Sequence, residues 1–116
     1  MNKDLKTLCF DLDDTLCRPN HGETCSELKY LRAEPIVEMI EYARNQYNLG
    51  HRIIIYTARR MLTHKGDIEK IRADVEGLTI MWLHDHCVPY HELVFGKPYA
   101  DVYIDDKALN TKDILL

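Results

Sequence analysis

Three aspartates, Asp11, Asp13 and Asp14, fall within four positions directly after an apolar run. Carboxylates this crowded repel one another and raise one another's pKa, so a cation has to sit among them. A second acidic pair, Asp105 and Asp106, follows the apolar stretch Val102–Ile104. Oxygen-only donors suit a hard divalent ion, and Mg²⁺ in particular takes one or two carboxylates with waters and phosphate oxygens. Asp11 and Asp13 lie two residues apart, so on an extended segment they point the same way and can address one substrate. Thr57 offers a hydroxyl at the end of a β-branched run, and the backbone amides of Ala58 and Arg59 can receive anionic oxygens. Lys97 adds a positive charge to offset the carboxylates. Together these residue types suit chemistry on a phosphate group.

The elements that carry them read as follows. Lys6–Phe10 is short, apolar and bounded by polar residues, which predicts a buried strand. Arg52–Tyr56 is a β-branched run and predicts a second. Glu92–Phe95 predicts a third and Asp101–Ile104 a fourth. Ile36, Ile40, Ala43 and Tyr47 recur at helical spacing, with Pro35 at a first helical position and Gly50 as terminator. Asp67 caps a helix carrying Ile68, Ile71 and Val75, and Gly77 is expected to break it before Thr79 caps another. Strands alternating with helices predict an α/β domain with a mainly parallel sheet. In such sheets ligands bind beyond the carboxyl ends of the strands. Asp11, Thr57 and the Asp105/Asp106 pair all fall at such ends.

The motifs "FDLDDTL", "IIIYTAR", "GKP" and "VYIDDKA" resemble, in this order, the four motifs of the haloacid dehalogenase superfamily, and they run from residue 7 to 107. The resemblance implies a single Rossmann-like domain over residues 1–116 and a Mg²⁺-dependent phosphatase. It implies Asp11 as the nucleophile that forms an aspartyl-phosphate and Asp13 as acid and then base. Thr57 and Lys97 would hold the phosphoryl oxygens. The metal would take Asp11, the backbone carbonyl of Asp13, and Asp105 with Asp106. An acid two residues after the nucleophile marks the superfamily's phosphatases and phosphotransferases. No room remains for a cap domain, so a short flap around Arg18–Glu27 is expected beside an open site, with Arg18, Ala58 and Arg59 facing substrate. An open site suits a large substrate, or a small one covered by a neighbouring copy in a homo-oligomer. The segment from Trp82 to Ala108 further resembles small bacterial phosphatases of capsule or surface-polysaccharide synthesis. That implies a phosphorylated sugar, polyol or similar metabolite as substrate.

The remaining features bound the alternatives. The chain of 116 residues is 46% hydrophobic and carries a net charge of −4. That balance argues against a nucleic-acid partner, and with it against a polynucleotide-end phosphatase, which needs a basic strip with interleaved aromatics. A receiver domain of phospho-signalling also combines acids, Thr and Lys. It needs its accepting Asp after a mid-chain strand, where Thr57 stands here. No apolar run reaches membrane-span length, so no membrane partner is expected, and four cysteines without CxxC spacing are expected as reduced thiols in a cytoplasmic setting. His84, His86 and His91 lack the ligand spacing of a zinc site. Arg59 and Arg60 read equally well as solvated surface charges. Asp14 and Thr15 read as local turn residues, Trp82 as core, and Ile114–Leu116 as packing on the domain itself.

Overall fold

The computed structural model describes residues 4–115. Its central sheet has three parallel strands, β1 (Thr7–Asp11), β4 (Arg52–Thr57) and β5 (Glu92–Phe95), in the order β1-β4-β5. A small antiparallel pair, β2 (Cys17–Arg18) and β3 (Glu34–Pro35), brackets the short helix α1 (Ser26–Leu31). The long helices are α2 (Val37–Asn48) and α3 (Ile68–Asp85), and a last turn of helix, α4, spans Thr111–Ile114. The α/β class with a mainly parallel sheet, helices against it, a short flap and no inserted cap stands as the sequence predicts.

Alternation along the strands decides what is buried. Phe10, Ile53 and Ile55 share one face, where they pack with Met39, Ile40 and Ala43 of α2 and with Trp82 and Leu83 of α3. Phe95 joins Ile71 and Val75 of α3 in an adjoining cluster. The other face is poorly covered: Thr7 and Cys9 are exposed, and Ile54, Tyr56 and Val94 are only half-buried. Gly50 ends α2 as expected. It takes φ +99°, and its N–H bonds to the Tyr47 carbonyl.

Four expectations fail. Pro35 lies in β3, and α2 begins at Val37, because the chain pairs Cys17 with Pro35 before it turns helical. Gly77 does not break α3, which runs through it for 18 residues. A mid-helix glycine costs about 1 kcal/mol against alanine, less than the packing of Ile71, Val75, Trp82 and Leu83 returns. Thr79 is therefore mid-helix, its hydroxyl donating to the Val75 carbonyl at 2.6 Å. Ile68, placed on the same face by spacing, is exposed. Finally, Asp101–Ile104 forms no strand. Every residue from Pro98 to Asn110 is exposed, and β1 keeps an outer edge with no strand partner among the described residues. The helix α4 ends this segment, with Ile114 packed back on the core as expected and Leu115 exposed; Leu116 lies outside the described residues.

Candidate active site

Parallel pairing of β1 with β4 sets Asp11 opposite Tyr56, so Asp11 and Thr57 end neighbouring strands at the same sheet edge. The Lys97 N–H donates to the Thr57 carbonyl at 3.1 Å, which ties the chain leaving β5 to the end of β4. Gly96 makes that turn at φ +104°, a conformation that favours glycine, and a Cβ there would stand 2.7 Å from Ile68 Cδ1 and displace that side-chain tip. Lys97 is thereby aimed at the strand ends. Its Nζ lies 3.4 Å from Asp11 Oδ1 and 4.2 Å from the centre of the Tyr103 ring. Burial pushes the Asp11 carboxyl up, while the Lys97 charge and hydrogen bond pull it back toward ionisation. Thr57 is fully buried, and its hydroxyl oxygen accepts the Arg59 N–H at 3.0 Å, which curls the chain beyond β4. Asp11, Thr57 and Lys97 are thus brought together as the sequence spacing implies.

Asp13 and Arg59 are also brought together, as one clamped pair rather than as two independent groups. Arg59 is buried, and its Nε and Nη2 donate to the Asp13 carboxylate at 2.8–3.1 Å. Its Nη1 donates to the Thr79 hydroxyl at 3.0 Å, and its guanidinium carbon stands 4.2 Å from the centre of the Tyr30 ring. Burial alone would lower the Arg59 pKa, but the Asp13 hydrogen bonds and the negative charge around it outweigh that and hold it up. The reading of Arg59 as a solvated surface arginine is corrected: it is buried, and it reaches the cavity described below only as a partner of Asp13. Its donors are spent on Asp13 and on helix α3, and its work is to orient Asp13. Cys17, also buried, donates weakly to Asp13 Oδ1 at 3.4 Å. Burial pushes its thiol far up, next to the Asp13 charge, so it stays a neutral packing group. Asp14 takes φ +64° in a tight turn, with its N–H on the Cys17 carbonyl, as local structure.

An open cavity of about 440 Å³ lies at this sheet edge. Its floor holds Asp11 and Asp13. Other lining residues come from the flap (Pro19, His21), from helix α1 (Lys29, Tyr30) and from residues 58–63 after β4. Tyr99 and Tyr103 join them. Ala58 lines it as expected, whereas Arg18 is exposed on β2 and is not among the lining residues. Lys29, in the last turn of α1, is a cation at this cavity that no sequence motif marks. Arg60 lines it too, at φ +62°, with its Nε bonded at 2.7 Å to Asp74, which His64 also contacts at 2.8 Å. Those two partners outweigh the burial that would raise it and hold the Asp74 carboxyl below its usual range.

The acidic pair stands elsewhere. Asp105 and Asp106 are exposed and engage only Lys107, through its N–H at 2.8 Å and its Nζ at 3.2 Å. Among the described residues no group of three or more His, Cys, Asp or Glu is placed to hold a metal ion. Asp11 and the Asp13 carbonyl have the right chemistry for Mg²⁺, but one chain in this form falls short of the donor set. The histidines are scattered as well: His86 packs on Trp82 at 4.2 Å between ring centres, and His91 accepts the Ile53 N–H at 2.9 Å.

Fold and site together define an α/β domain with a polar cavity at the carboxyl ends of its parallel strands, a place where such folds bind ligands. No family model and no curated protein matches the chain. A solved structure does: a structural-genomics target from Vibrio cholerae is 36% identical with a TM-score of 0.81, the match covering 94% of this chain and 86% of that one. The chain belongs to the same family as that Vibrio cholerae protein. No helix among the described residues is long and apolar enough to cross a membrane.

Proposed function

We propose that the chain is a phosphomonoesterase that works through an aspartyl-phosphate on Asp11. The observation that carries this reading is the contact of Lys97 with Asp11, 3.4 Å apart where β1 ends. A carboxylate next to one fixed ammonium, at the open end of a parallel sheet, is a nucleophile with its counter-charge in place.

In the first step an Asp11 oxygen attacks phosphorus, the P–O bond to the leaving group breaks, and that oxygen takes a proton. Asp13, which lines the same cavity as Asp11, supplies it. It reaches the leaving oxygen by turning its carboxyl within the Arg59 clamp, since its side chain keeps a quarter of its surface open. In the second step water attacks the aspartyl-phosphate, giving its proton to Asp13 and releasing phosphate from Asp11. Lys97 lies against Asp11 throughout and offsets the charge on the phosphoryl oxygens; the Arg59 amide is already spent on the Thr57 hydroxyl, which leaves the Ala58 amide as the donor the turn after β4 would add. Mg²⁺ is part of the proposal and would screen the phosphoryl charge, with Asp11 and the Asp13 carbonyl as donors. The cavity, with Lys29 and Arg60 on its walls and Tyr99 and Tyr103 on its rim, suits a phosphorylated sugar, polyol or similar metabolite.

Turnover of an aryl phosphate by the purified protein tests the reading. Burst release of the aryl alcohol with wild-type protein and none with Asp11→Asn is the expected result. Equal turnover by both would overturn it.

A further inference from the structure

Two unsatisfied features of the fold have the same shape. The first is the outer edge of β1, together with the thinly covered sheet face beside it, on which Cys9 is exposed and Ile54 and Tyr56 are half-buried. Parallel sheets are normally covered on both faces, and an open edge strand is a template for another strand. The second is the run from Pro98 to Asn110, exposed throughout. Its centre is β-branched and apolar, the composition of a strand without a partner. Val102 is 70% and Ile104 96% exposed. Tyr103 between them turns the other way, with its ring under Lys97 and its hydroxyl on the Pro98 carbonyl. The segment's inner side is therefore engaged on its own body. It is also moored at both ends, by the Lys97 N–H on Thr57 and by Ile114 on the core. Its outer side, Val102 and Ile104, presents to solvent.

We propose that this arm pairs with a second copy of the chain. Asp101–Ile104 of one protomer adds in parallel to the free edge of the other's β1, and the exchange is reciprocal. Each copy carries one free edge and one free arm, so a two-fold axis satisfies both and closes the assembly. The direction follows from the ends. Only parallel addition leaves the residues after Ile104, namely Asp105 and Asp106, beside the end of β1, where Asp11 and Asp13 stand. The partner's acidic pair then supplies the donors that one chain lacks. The pairing itself stands on the edge and the arm alone; completion of a cation site rests on the phosphatase reading.

Sedimentation of the full chain at tens of micromolar, with and without Ile104→Lys, tests the pairing. The account expects a dimer for the wild type and a folded monomer for the variant. Ile104 is already solvent-exposed in the single chain, so the substitution spares its fold. An engineered disulfide locates the contact. In a background with Cys25→Ser and Cys87→Ser, Ile104→Cys should oxidise with the exposed Cys9 into a covalent dimer. A wild-type monomer, or a crosslink formed within one chain, overturns the proposal. Mixing then tests the composite site. Asp11→Asn chains and Asp105→Asn/Asp106→Asn chains, each inactive alone, should regain about one quarter of wild-type activity after exchange, since half the dimers are mixed and each has one intact site. Exchanged dimers without activity overturn the composite site. The two readings fail separately: a dimer that hydrolyses nothing sinks the phosphatase reading, and an active monomer sinks the pairing.

Discussion

Lys97 illustrates how much one charge carries at this site. Burial disfavours the ionised form of Asp11, and Lys97 is the first charge that opposes it. Replacing it with methionine keeps most of its bulk and removes the ammonium. Lys97→Met should lower kcat roughly a hundred- to thousandfold, because that charge is needed most as the phosphoryl group transfers. The same change should move the Asp11 pKa further up, which carbonyl ¹³C NMR of the chelated protein reads directly. The sign for stability follows. A carboxyl whose folded pKa is raised favours folding while protonated, and that contribution is lost as pH rises through the folded value. Lys97→Met should therefore lose stability above that pH and little of it below. An unmoved Asp11 titration would show that the 3.4 Å contact is not a working ion pair. Asp13 behaves differently, because its orientation is inherited from Arg59. Arg59→Met strips a buried guanidinium from its carboxylate and should cost about 3 kcal/mol in denaturant unfolding. A loss under 1 kcal/mol would mean that the clamp is not formed.

Among the elements, the strands were legible and the arm was not, for one physical reason. Thr7–Asp11, Arg52–Thr57 and Glu92–Phe95 are apolar runs whose neighbours in the sheet are one another, so local pattern and tertiary context agree. Asp101–Ile104 has the same local pattern but no strand neighbour among the described residues, and a strand is defined by its pairing. Gly77 misled in the opposite direction: its local propensity is outweighed by a buried stripe on either side of it. The motif residues Asp11, Thr57 and Lys97 could be placed together because each ends or follows a recognisable element. The Asp13–Arg59–Thr79 network could not, since its members lie 46 and 20 residues apart and no local signal marks Arg59 for burial. Lys29 was hidden in α1, a short helix of which the turn-rich stretch before it gave no sign. Gly96 belongs to this scale too. Its positive φ and the 2.7 Å approach to Ile68 mean that Gly96→Ala must strain the β5–Lys97 turn and push the Ile68 tip aside. A cost of roughly 1–3 kcal/mol is expected, with a fall in kcat as Lys97 is displaced. Full activity with unchanged stability would contradict that account of the turn.

For the molecule as a whole, the sheet gathers the Asp11 carboxylate, its Lys97 counter-charge and an open polar cavity at one end, while the exposed arm carries two more acids, Asp105 and Asp106. Turnover should vanish with excess chelator and return with Mg²⁺, since the oxygen donors of Asp11 and the Asp13 carbonyl suit that ion and a bound phosphate adds negative charge beyond what Lys97 offsets. Undiminished turnover in chelator would remove the metal from the scheme. The covalent step can be seen on the intact protein. Asp13→Asn leaves Asp11 and Lys97 in place but removes the group that passes protons, so a substrate with a good leaving group can still phosphorylate Asp11 while hydrolysis stalls. Rapid-quench intact-mass spectrometry of Asp13→Asn with an aryl phosphate should show a gain of about 80 Da, one phosphoryl group, that maps to the peptide holding Asp11. The same addition in Asp11→Asn, or on any other residue, would contradict Asp11 as the nucleophile.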